Sequence, residues 1–328
     1  MSSSSSFRQY FTRRVALTAI AFFFILVTNF ALPRLMPGSP IDRFLKDPAL
    51  TEQERQLLLR DFGLDQPLQV QFVLYVLNTF HGNLGISFRY YPSSVMSVIV
   101  SRIPWTLYLL GVSYSLSILI GVFLGAVAGW RRGSKVDTST LALSFITRSL
   151  PVFWFGMVLL LIFSFYLGMF PSSGAETPGV TMDLTEHIYD VARHSVLPMA
   201  TIVFILLGPP ALLTRNLVAD VSDEQYIYVA KSKGLPPRIV LFKHALRNVM
   251  LPISSYTAVL LGYIVAGALF TETVFTWPGI GRLTYEAVLT RDYPLIQGIL
   301  LLTAVSVLLA NFLVDILYSY FDPRVRHQ

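Results

Sequence analysis

The sequence contains no cysteine and few charged residues. Only 13% of its 328 residues are charged, against roughly 25% in an average soluble domain. The absence of cysteine excludes disulfide frameworks, cysteine-ligated metal centres and a cysteine nucleophile. Because 54% of the residues are hydrophobic and the mean hydropathy is +0.59, the sequence predicts a chain solvated mainly by lipid.

Sequence signatures of catalysis are also absent. The chain has no GxxxxGK(S/T) phosphate loop and no HExxH motif, and Gly279-Ile280-Gly281 lacks the third glycine of a dinucleotide-binding turn. The five histidines are scattered over different segments, so no metal site is predicted. These absences exclude an ATPase acting alone. They also leave a membrane-embedded enzyme without the paired polar groups that it would need.

The apolar stretches carry almost no carboxylates in their interiors. Asp315 lies near the end of the last stretch. Proton- and sodium-driven carriers use such carboxylates, so this pattern argues against an ion-coupled secondary carrier. The net charge of +6 comes from basic residues beside apolar runs. It therefore predicts orientation in a membrane, and no nucleic-acid partner.

Apolar stretches long enough to cross a bilayer recur along the chain. A helix needs about 20 such residues to span the hydrocarbon core, and no alternating pattern of a β-barrel is present. We therefore predict an all-α polytopic membrane protein with six transmembrane helices, at 15–32, 105–129, 151–170, 196–213, 251–270 and 298–318. The first stretch is too long for the apolar core of a cleaved signal, so we expect it to be retained.

Lysine and arginine residues predict the orientation of these spans. They are concentrated in the tail 1–14, after the second span, in the loop 214–250 and in the tail 319–328. The positive-inside rule places these segments, and hence both termini, in the cytoplasm. Segment 33–104 then lies outside. It is predicted to be helical, with a capping box at Thr51 and Glu54, a second helix from Pro67 to Gly82 and a third ending before Pro104. These helices would form a lid in the membrane interface or contact an external partner.

Two breaks are predicted near the inner ends of the spans. Pro151 interrupts the start of the third span, with Arg148 at the cytoplasmic interface where its side chain can reach water. Pro209 and Pro210 interrupt the fourth span. Each break is interpreted either as a simple proline kink or as part of a gate on the translocation path.

The segment 225–252 has the features of a docking element. Acidic residues precede a short helix, small residues lie along it, Gly234 ends it, and a basic stretch leads into the next span. Such a shape suits the groove of a partner protein. As a bare pattern, however, the segment could be any interfacial loop.

This segment resembles the EAA loop of ATP-binding-cassette (ABC) importer permeases, in the YxxxAxxKGL…HALRNxxLP form of the dipeptide and oligopeptide branch. Tyr228 and Val229 stand where the name of the loop has Glu and Ala, a departure that is familiar in this branch. Other stretches are similar to the same branch, in the subunit type with a long outer segment after its first span: 36–40, 62–65, 82–85, 272–283, 291–294 and 322–326.

The resemblance implies a type I ABC importer transmembrane domain over residues 95–318. It implies that an ATPase-coupling segment comprises Tyr228, Val229, Ala230, Gly234 and Leu235, with Ala230 packed against an ATPase subunit. It also implies an outer loop containing Glu272, Trp277, Pro278 and Gly279. Trp277 is interpreted either as stiffening a loop that dips toward the path or as an interfacial anchor.

The resemblance also implies partners. These are a second related permease, two cytoplasmic ATPase subunits, an extracytoplasmic solute-binding protein and membrane lipid. ATP and Mg²⁺ would be bound by the ATPase subunits, so this chain would be a permease subunit without a cofactor and without enzymatic activity. It would lie in the cell membrane of a prokaryote. The expected solutes are dipeptides or oligopeptides, with oligosaccharides or a nickel chelate as the alternative.

Overall fold

The computed structural model describes residues 3–35, 51, 53, 66–262, 264 and 267–321. Within these ranges the chain is helical, and its extended pairing is a single bridge between Ile86 and Ser94. The all-α prediction is therefore confirmed. The predicted capping box at Thr51 and Glu54 lies largely outside the described residues.

The first half of the chain contains the helices α1 (Ser3–Leu35), α2 (Leu68–Phe80), α3 (Val95–Trp130), α4 (Lys135–Ser149) and α5 (Val152–Leu159), which continues as the π-helix π1 (Leu160–Tyr166). The second half contains α6 (Leu184–Leu206), α7 (Gly208–Val221), α8 (Gln225–Ser232), α9 (Pro237–Ile239), the π-helix π2 (Val240–Ala245), α10 (Leu246–Gly262), α11 (Leu269–Val274), α12 (Ile280–Thr290) and α13 (Tyr293–Phe321).

Several of these helices meet the requirements of a membrane span. In the part of the chain that the structure describes, four segments are long and apolar enough: Phe11–Leu32, Val95–Trp130, Leu184–Val221 and Tyr293–Phe312. The bent pair α4 and α5 with π1 gives a fifth if it is one span. The chain is thus a multi-pass membrane protein, and the predicted number of six is not confirmed. The stretch predicted at 251–270 falls on the 17-residue α10 and on positions only partly described.

Two predictions about the second span need correction. Helix α3 begins at Val95 and runs for 36 residues through Pro104, so the third outer helix and the second span are one element. A proline inside an apolar helix removes one backbone donor, and neighbouring groups in membrane proteins commonly compensate for it. The helix predicted from Pro67, by contrast, is confirmed as α2, and Gly82 at φ +74 follows its end.

The chain divides into two compact units, residues Met1–Pro104 with Leu283–Gln328, and Trp105–Arg282. In the first unit α1 and α13 are antiparallel, because Phe11 contacts Phe312 while Asn29 contacts Gln297. The Asn29 amide donates to the Gln297 carbonyl and the Gln297 amide donates to the Asn29 carbonyl, both at 2.9 Å. This reciprocal pair satisfies polar groups that would be costly to leave unpaired in an apolar bundle.

The start of α13 is capped by a buried carboxylate. Asp292 precedes the helix and accepts from the Leu295 N–H at 3.1 Å. It also accepts from the Ser87 hydroxyl at 2.5 Å and the Arg89 N–H at 3.0 Å. A carboxylate at a helix N-terminus is stabilised by the helix dipole as well as by these donors. Asp292 therefore holds the segment between α2 and α3 against the start of α13.

In the second unit the break predicted at Pro151 is confirmed. Helices α4 and α5 meet there at 100°. The break predicted at Pro209 and Pro210 is much weaker, since α6 and α7 together form the single candidate span Leu184–Val221. Backbone N–H groups in the first turn of a helix have no intrahelical acceptor, so a proline there removes no helical hydrogen bond. Pro209 and Pro210 lie in the first turn of α7, which therefore starts without distorting the span.

Candidate functional site

The predicted coupling segment folds as the short helix α8 followed by a glycine turn. The Lys233 N–H donates to the Val229 carbonyl at 3.1 Å, and the Gly234 N–H donates to the Lys231 carbonyl at 3.0 Å. Gly234 has φ +73, and a side chain added there would meet nothing within 4 Å. Glycine is therefore required by the backbone conformation of the turn and not by lack of space.

One face of α8 is packed against its own chain. Ile227 is fully buried and Ala230 is 5% exposed, in a cluster with Val218, Val240, Ala245 and further apolar residues. The predicted contact of Ala230 with an ATPase subunit is therefore wrong for its side chain. Ala230 faces the bundle and packs within this cluster.

The other face of α8 is open. Tyr228 is 74% exposed and Val229 is 53% exposed, whereas Leu235 is partly buried against the cluster. The Tyr228 and Val229 side chains thus project from the face of α8 opposite to the one that packs against the bundle. This face of α8 is therefore the one that is available for contact with another protein.

Helix α7, which leads into α8, is in very close contact with α3. A side-chain carbon at Gly125 would collide with the Ala211 carbonyl, and one at Gly129 would collide with the Arg215 carbonyl. These glycines allow the two backbones to touch, as small residues do at helix contacts in membranes. Close contact of this kind transmits a displacement of α7 to α3, because packed interiors yield little.

An ion pair ties α7 to α4. The Arg215 guanidinium donates to both carboxylate oxygens of Asp137, each at 2.8 Å, and the Asp137 carboxylate also accepts from the Gly133 N–H at 2.9 Å. The Asp137 side chain is 4% exposed and that of Arg215 is 17% exposed. A bidentate pair fixes the geometry of both partners. Sequence reasoning missed this pair, although the basic loop after the second span contained both a glycine turn and an acidic residue.

The predicted gate residues occupy different environments. Arg148 and Pro151 are exposed at the 100° bend between α4 and α5. Pro210 is buried, and a side chain at Gly121 would lie 2.7 Å from its ring. Pro209 is partly buried. These contacts make Pro210 part of the packing between α3 and α7, while a role for any of the four in gating remains a prediction.

The predicted outer loop is organised around a buried carboxylate. Glu272, in α11, is fully buried. One of its carboxylate oxygens accepts from the Thr106 hydroxyl and the Ala268 N–H, both at 3.2 Å, and the other accepts from the Arg282 N–H at 3.1 Å. The Thr106 hydroxyl in turn accepts from the Ile280 N–H at 2.7 Å. The carboxylate therefore joins α11, the start of α12 and α3.

Glycines make this arrangement possible. A side-chain carbon at Gly279 would collide with the Glu272 carboxylate and lie 2.5 Å from the Thr106 hydroxyl. One at Gly281 would lie 2.6 Å from the Leu269 nitrogen. Glycine is therefore required at position 279 of the predicted outer loop for a steric reason, since only glycine lets the backbone approach the carboxylate this closely.

Trp277 is a core residue of the same loop. It is fully buried, and its indole N–H donates to the Trp105 carbonyl at 3.1 Å. Its ring meets Trp105 edge-on with 5.7 Å between centroids and stacks on Tyr108 at 6.1 Å. The interpretation of Trp277 as an interfacial anchor is therefore wrong, because an anchor keeps one edge of the ring at the membrane surface. Trp277 instead fixes the loop to α3.

No cluster of histidine, aspartate and glutamate side chains in the described part of the chain could hold a metal ion.

Comparison with known proteins assigns the chain to a family. The family model of the "Binding-protein-dependent transport system inner membrane component" matches residues 118–327. The chain belongs to this family. The matched region contains α7, α8, the ion pair and the outer loop, which are the parts of the second unit described above.

Curated relatives cover nearly the whole chain. The di/tripeptide transport system permease protein DppB of Pseudomonas aeruginosa is 36% identical over 97% of this chain and 99% of its own length. The oligopeptide transport system permease protein AppB of Bacillus subtilis is 32% identical, with the same coverage. The dipeptide transport system permease protein DppB of Escherichia coli K12 is 33% identical over 98% of this chain and 99% of its own length. The resemblance inferred from the motifs is thereby confirmed.

Proposed function

We propose that the chain is the permease subunit of an ABC importer that moves dipeptides or oligopeptides delivered by an extracytoplasmic binding protein. The names of the relatives above support the peptide class. The family supports the transport role. In this proposal the chain provides half of the path and no catalytic group.

The observation that carries the proposal is the two-faced helix α8. Ile227 and Ala230 fasten it to the bundle, while Tyr228 and Val229 project from it. A helix with one face packed on its own chain and the other face exposed can bind in the groove of an ATPase subunit and transmit a displacement to its own chain. Large, well-packed side chains at the centre of an interface commonly contribute 2 kcal/mol or more, on the order of a thirtyfold change in affinity.

We propose that movement of α8 reaches the path through α7. ATP and Mg²⁺ would be held by the two ATPase subunits, and closure of that pair would displace both coupling helices. In this chain the displacement passes from α8 to α7 through Ile227 and Val218, and then to α4 through Arg215 and Asp137. The bend at Pro151 lies at the far end of α4, where a gate would open or close.

The remaining parts of the assembly follow from the same proposal. A second, related permease completes the path, and the binding protein docks on the side of the Glu272 loop. Both termini and the loop 214–250 face the cytoplasm of a prokaryotic cell, and segment 33–104 faces outward. The rigid loop around Glu272 and Trp277 suits a docking surface, because a pre-organised surface loses little conformational entropy on binding.

Reconstitution of the complex tests the proposed function. The chain is reconstituted in proteoliposomes with the second permease, the ATPase subunits and the binding protein of the same operon. ATP hydrolysis and uptake are then measured with a dipeptide, a pentapeptide, an oligosaccharide and a nickel chelate. Stimulation and uptake with a peptide alone support the proposal. Uptake of the sugar or the nickel chelate without peptide uptake would contradict the peptide class and leave the importer role intact.

A further inference from the structure

Helix α2 packs along one half of α1. Phe72 in α2 meets Phe30 in α1 with 5.1 Å between ring centroids, and Phe80 meets Phe22 at 6.0 Å. The two helices are therefore antiparallel, and the end of α2 reaches the middle of the apolar stretch Phe11–Leu32. A helix lying flat in the membrane interface would not make both contacts. Helix α2 instead descends from the end of the span toward its centre.

The outward face of α2 is apolar. Its exposed side chains include Leu68 at 60%, Val73 at 54%, Leu77 at 50% and Phe80 at 69%. At the end of the helix the backbone is satisfied locally, because the Asn83 N–H donates to the Asn78 carbonyl at 2.9 Å and the Gly82 N–H to the Thr79 carbonyl at 3.0 Å. An apolar surface with satisfied backbone groups at this depth is suited to contact with acyl chains.

A crevice of about 280 Å³ opens between α1, α2, the turn after α2 and α13. Its lining includes several polar side chains, among them Arg34, Gln71, Asn78, Asn83 and Gln297. Leu74, Leu84 and Leu301 line the same crevice. The crevice lies where the candidate spans Phe11–Leu32 and Tyr293–Phe312 end and begin. The crevice therefore begins at the level where headgroups meet acyl chains and extends along α2 toward the middle of the span.

Arg34 brings the positive charge of the crevice. Its guanidinium donates to the Gln71 side-chain oxygen at 2.8 Å and to the Phe30 carbonyl at 2.9 Å, and it lies 3.6 Å from the centre of the Phe30 ring. These contacts hold the group rigidly. They use only part of its five N–H donors, and within the described residues no carboxylate forms an ion pair with it. A fixed guanidinium with donors to spare is suited to a phosphate group.

We propose that this crevice binds the phosphate of a membrane phospholipid. Arg34 would donate to the phosphate oxygens, the amides of Asn78 and Asn83 would complete the polar contacts, and the acyl chains would lie along the apolar face of α2. The lipid is favoured over a soluble anion because leucines line the same crevice as the polar side chains and the exposed apolar side chains of α2 lie beside it. Basic crevices between membrane helices bind lipid headgroups by the same chemistry. This site is independent of the peptide class proposed above.

Native mass spectrometry of the full-length chain in a neutral detergent tests the site. Three probes are added separately: dioleoyl phosphatidylglycerol, dioleoylglycerol, which has the same chains without phosphate, and inorganic phosphate. We expect one phosphatidylglycerol molecule to be retained in preference to dioleoylglycerol. Arg34→Gln should weaken that retention about tenfold, which is the effect of losing one charge-assisted hydrogen bond.

Two further variants protect the test against a folding defect. Asn78 lines the crevice and is otherwise exposed, so Asn78→Asp introduces a repelling carboxylate without removing a buried side chain, and it should also weaken retention. Asn78→Gln and Arg193→Gln, which alters an arginine outside the crevice, should retain the lipid. Equal retention of dioleoylglycerol, unchanged retention in both Arg34→Gln and Asn78→Asp, or displacement of the lipid by inorganic phosphate would overturn the proposal.

Discussion

Adjacent residues of α8 provide the sharpest test of how this chain couples to a partner. Val229 is 53% exposed and Ala230 is 5% exposed. Glutamate introduced at either position adds the same charge at nearly the same place in the sequence. At Val229 the new carboxylate stays in water until a partner arrives, whereas at Ala230 it must enter the apolar cluster of its own chain.

The energies of the two variants differ accordingly. An unpaired buried carboxylate costs several kcal/mol even after relaxation. Burial of Ile227, the main apolar anchor of α8, contributes about 1.5–3 kcal/mol. The cost at Ala230 is therefore at least as large as the contribution of Ile227, and we expect α8 to detach locally while the spans stay folded. Val229→Glu should leave α8 in place and cost binding energy only at the interface, about 2 kcal/mol.

Limited proteolysis and copurification separate these outcomes. Trypsin cuts after Lys231 and Lys233, which lie at the end of α8. Ala230→Glu should be cut there faster than the wild type, and Val229→Glu at the wild-type rate. Both should recover less ATPase subunit from the membrane. Val229→Thr, which keeps the shape of the side chain without a charge, serves as the control for each assay.

Two results would refute this reasoning. If Ala230→Glu kept wild-type resistance to trypsin and lost only the ATPase subunit, Ala230 would face the partner after all. If Val229→Glu retained the full complement of ATPase subunits and transported at the normal rate, the exposed face of α8 would not be the coupling surface.

Three further predictions concern the rest of the second unit and the orientation of the chain. Glu272→Ala removes the acceptor of three hydrogen bonds, of which the one from the Thr106 hydroxyl is buried, and an unpaired buried donor costs about 1–3 kcal/mol. It should therefore lower the melting temperature and the stimulation by the binding protein more than Glu272→Gln; equal effects would contradict the hydrogen-bonded role. Arg215→Ala leaves the buried Asp137 carboxylate without its cation, with the Gly133 N–H still donating to it, and should destabilise the chain by about 3 kcal/mol in thermal unfolding, whereas Arg215→Gln combined with Asp137→Asn should cost clearly less. Arg132→Cys, at an exposed position that spares the capping residue Ser134, should react with an impermeant maleimide in inverted vesicles, and reaction in intact cells would reverse the proposed topology.

Some local features of the chain could be predicted because they depend on neighbouring residues. The glycine that ends α8 is an example, since Gly234 is needed for the left-handed turn whatever surrounds it. The break at Pro151 is another, because proline cannot donate in a continuing helix. The error at Pro104 has the opposite origin. There the surrounding helix continued through the proline, and no local rule distinguishes the two prolines.

The site required information that local patterns do not contain. The side of α8 that faces the bundle depends on where the other cluster residues lie, and these include Ala126, about a hundred positions before Ala230. The partners of Glu272 include Thr106, which is 166 positions away. Asp137 and Arg215 are separated by 78 positions. Such pairs are defined by helix packing, so a single sequence offers no signal that joins them.

The sequence by itself determined that this chain is an α-helical membrane protein and, through its ordered motifs, which family it belongs to. The physical reason is that hydropathy, proline and glycine act locally and lipid leaves the backbone little choice but helix. Only the tertiary structure decided which side chains face inward: Ala230 toward its own bundle, Trp277 into a core and Arg34 into a crevice. Burial is a property of the surroundings, and those surroundings come from residues far along the chain.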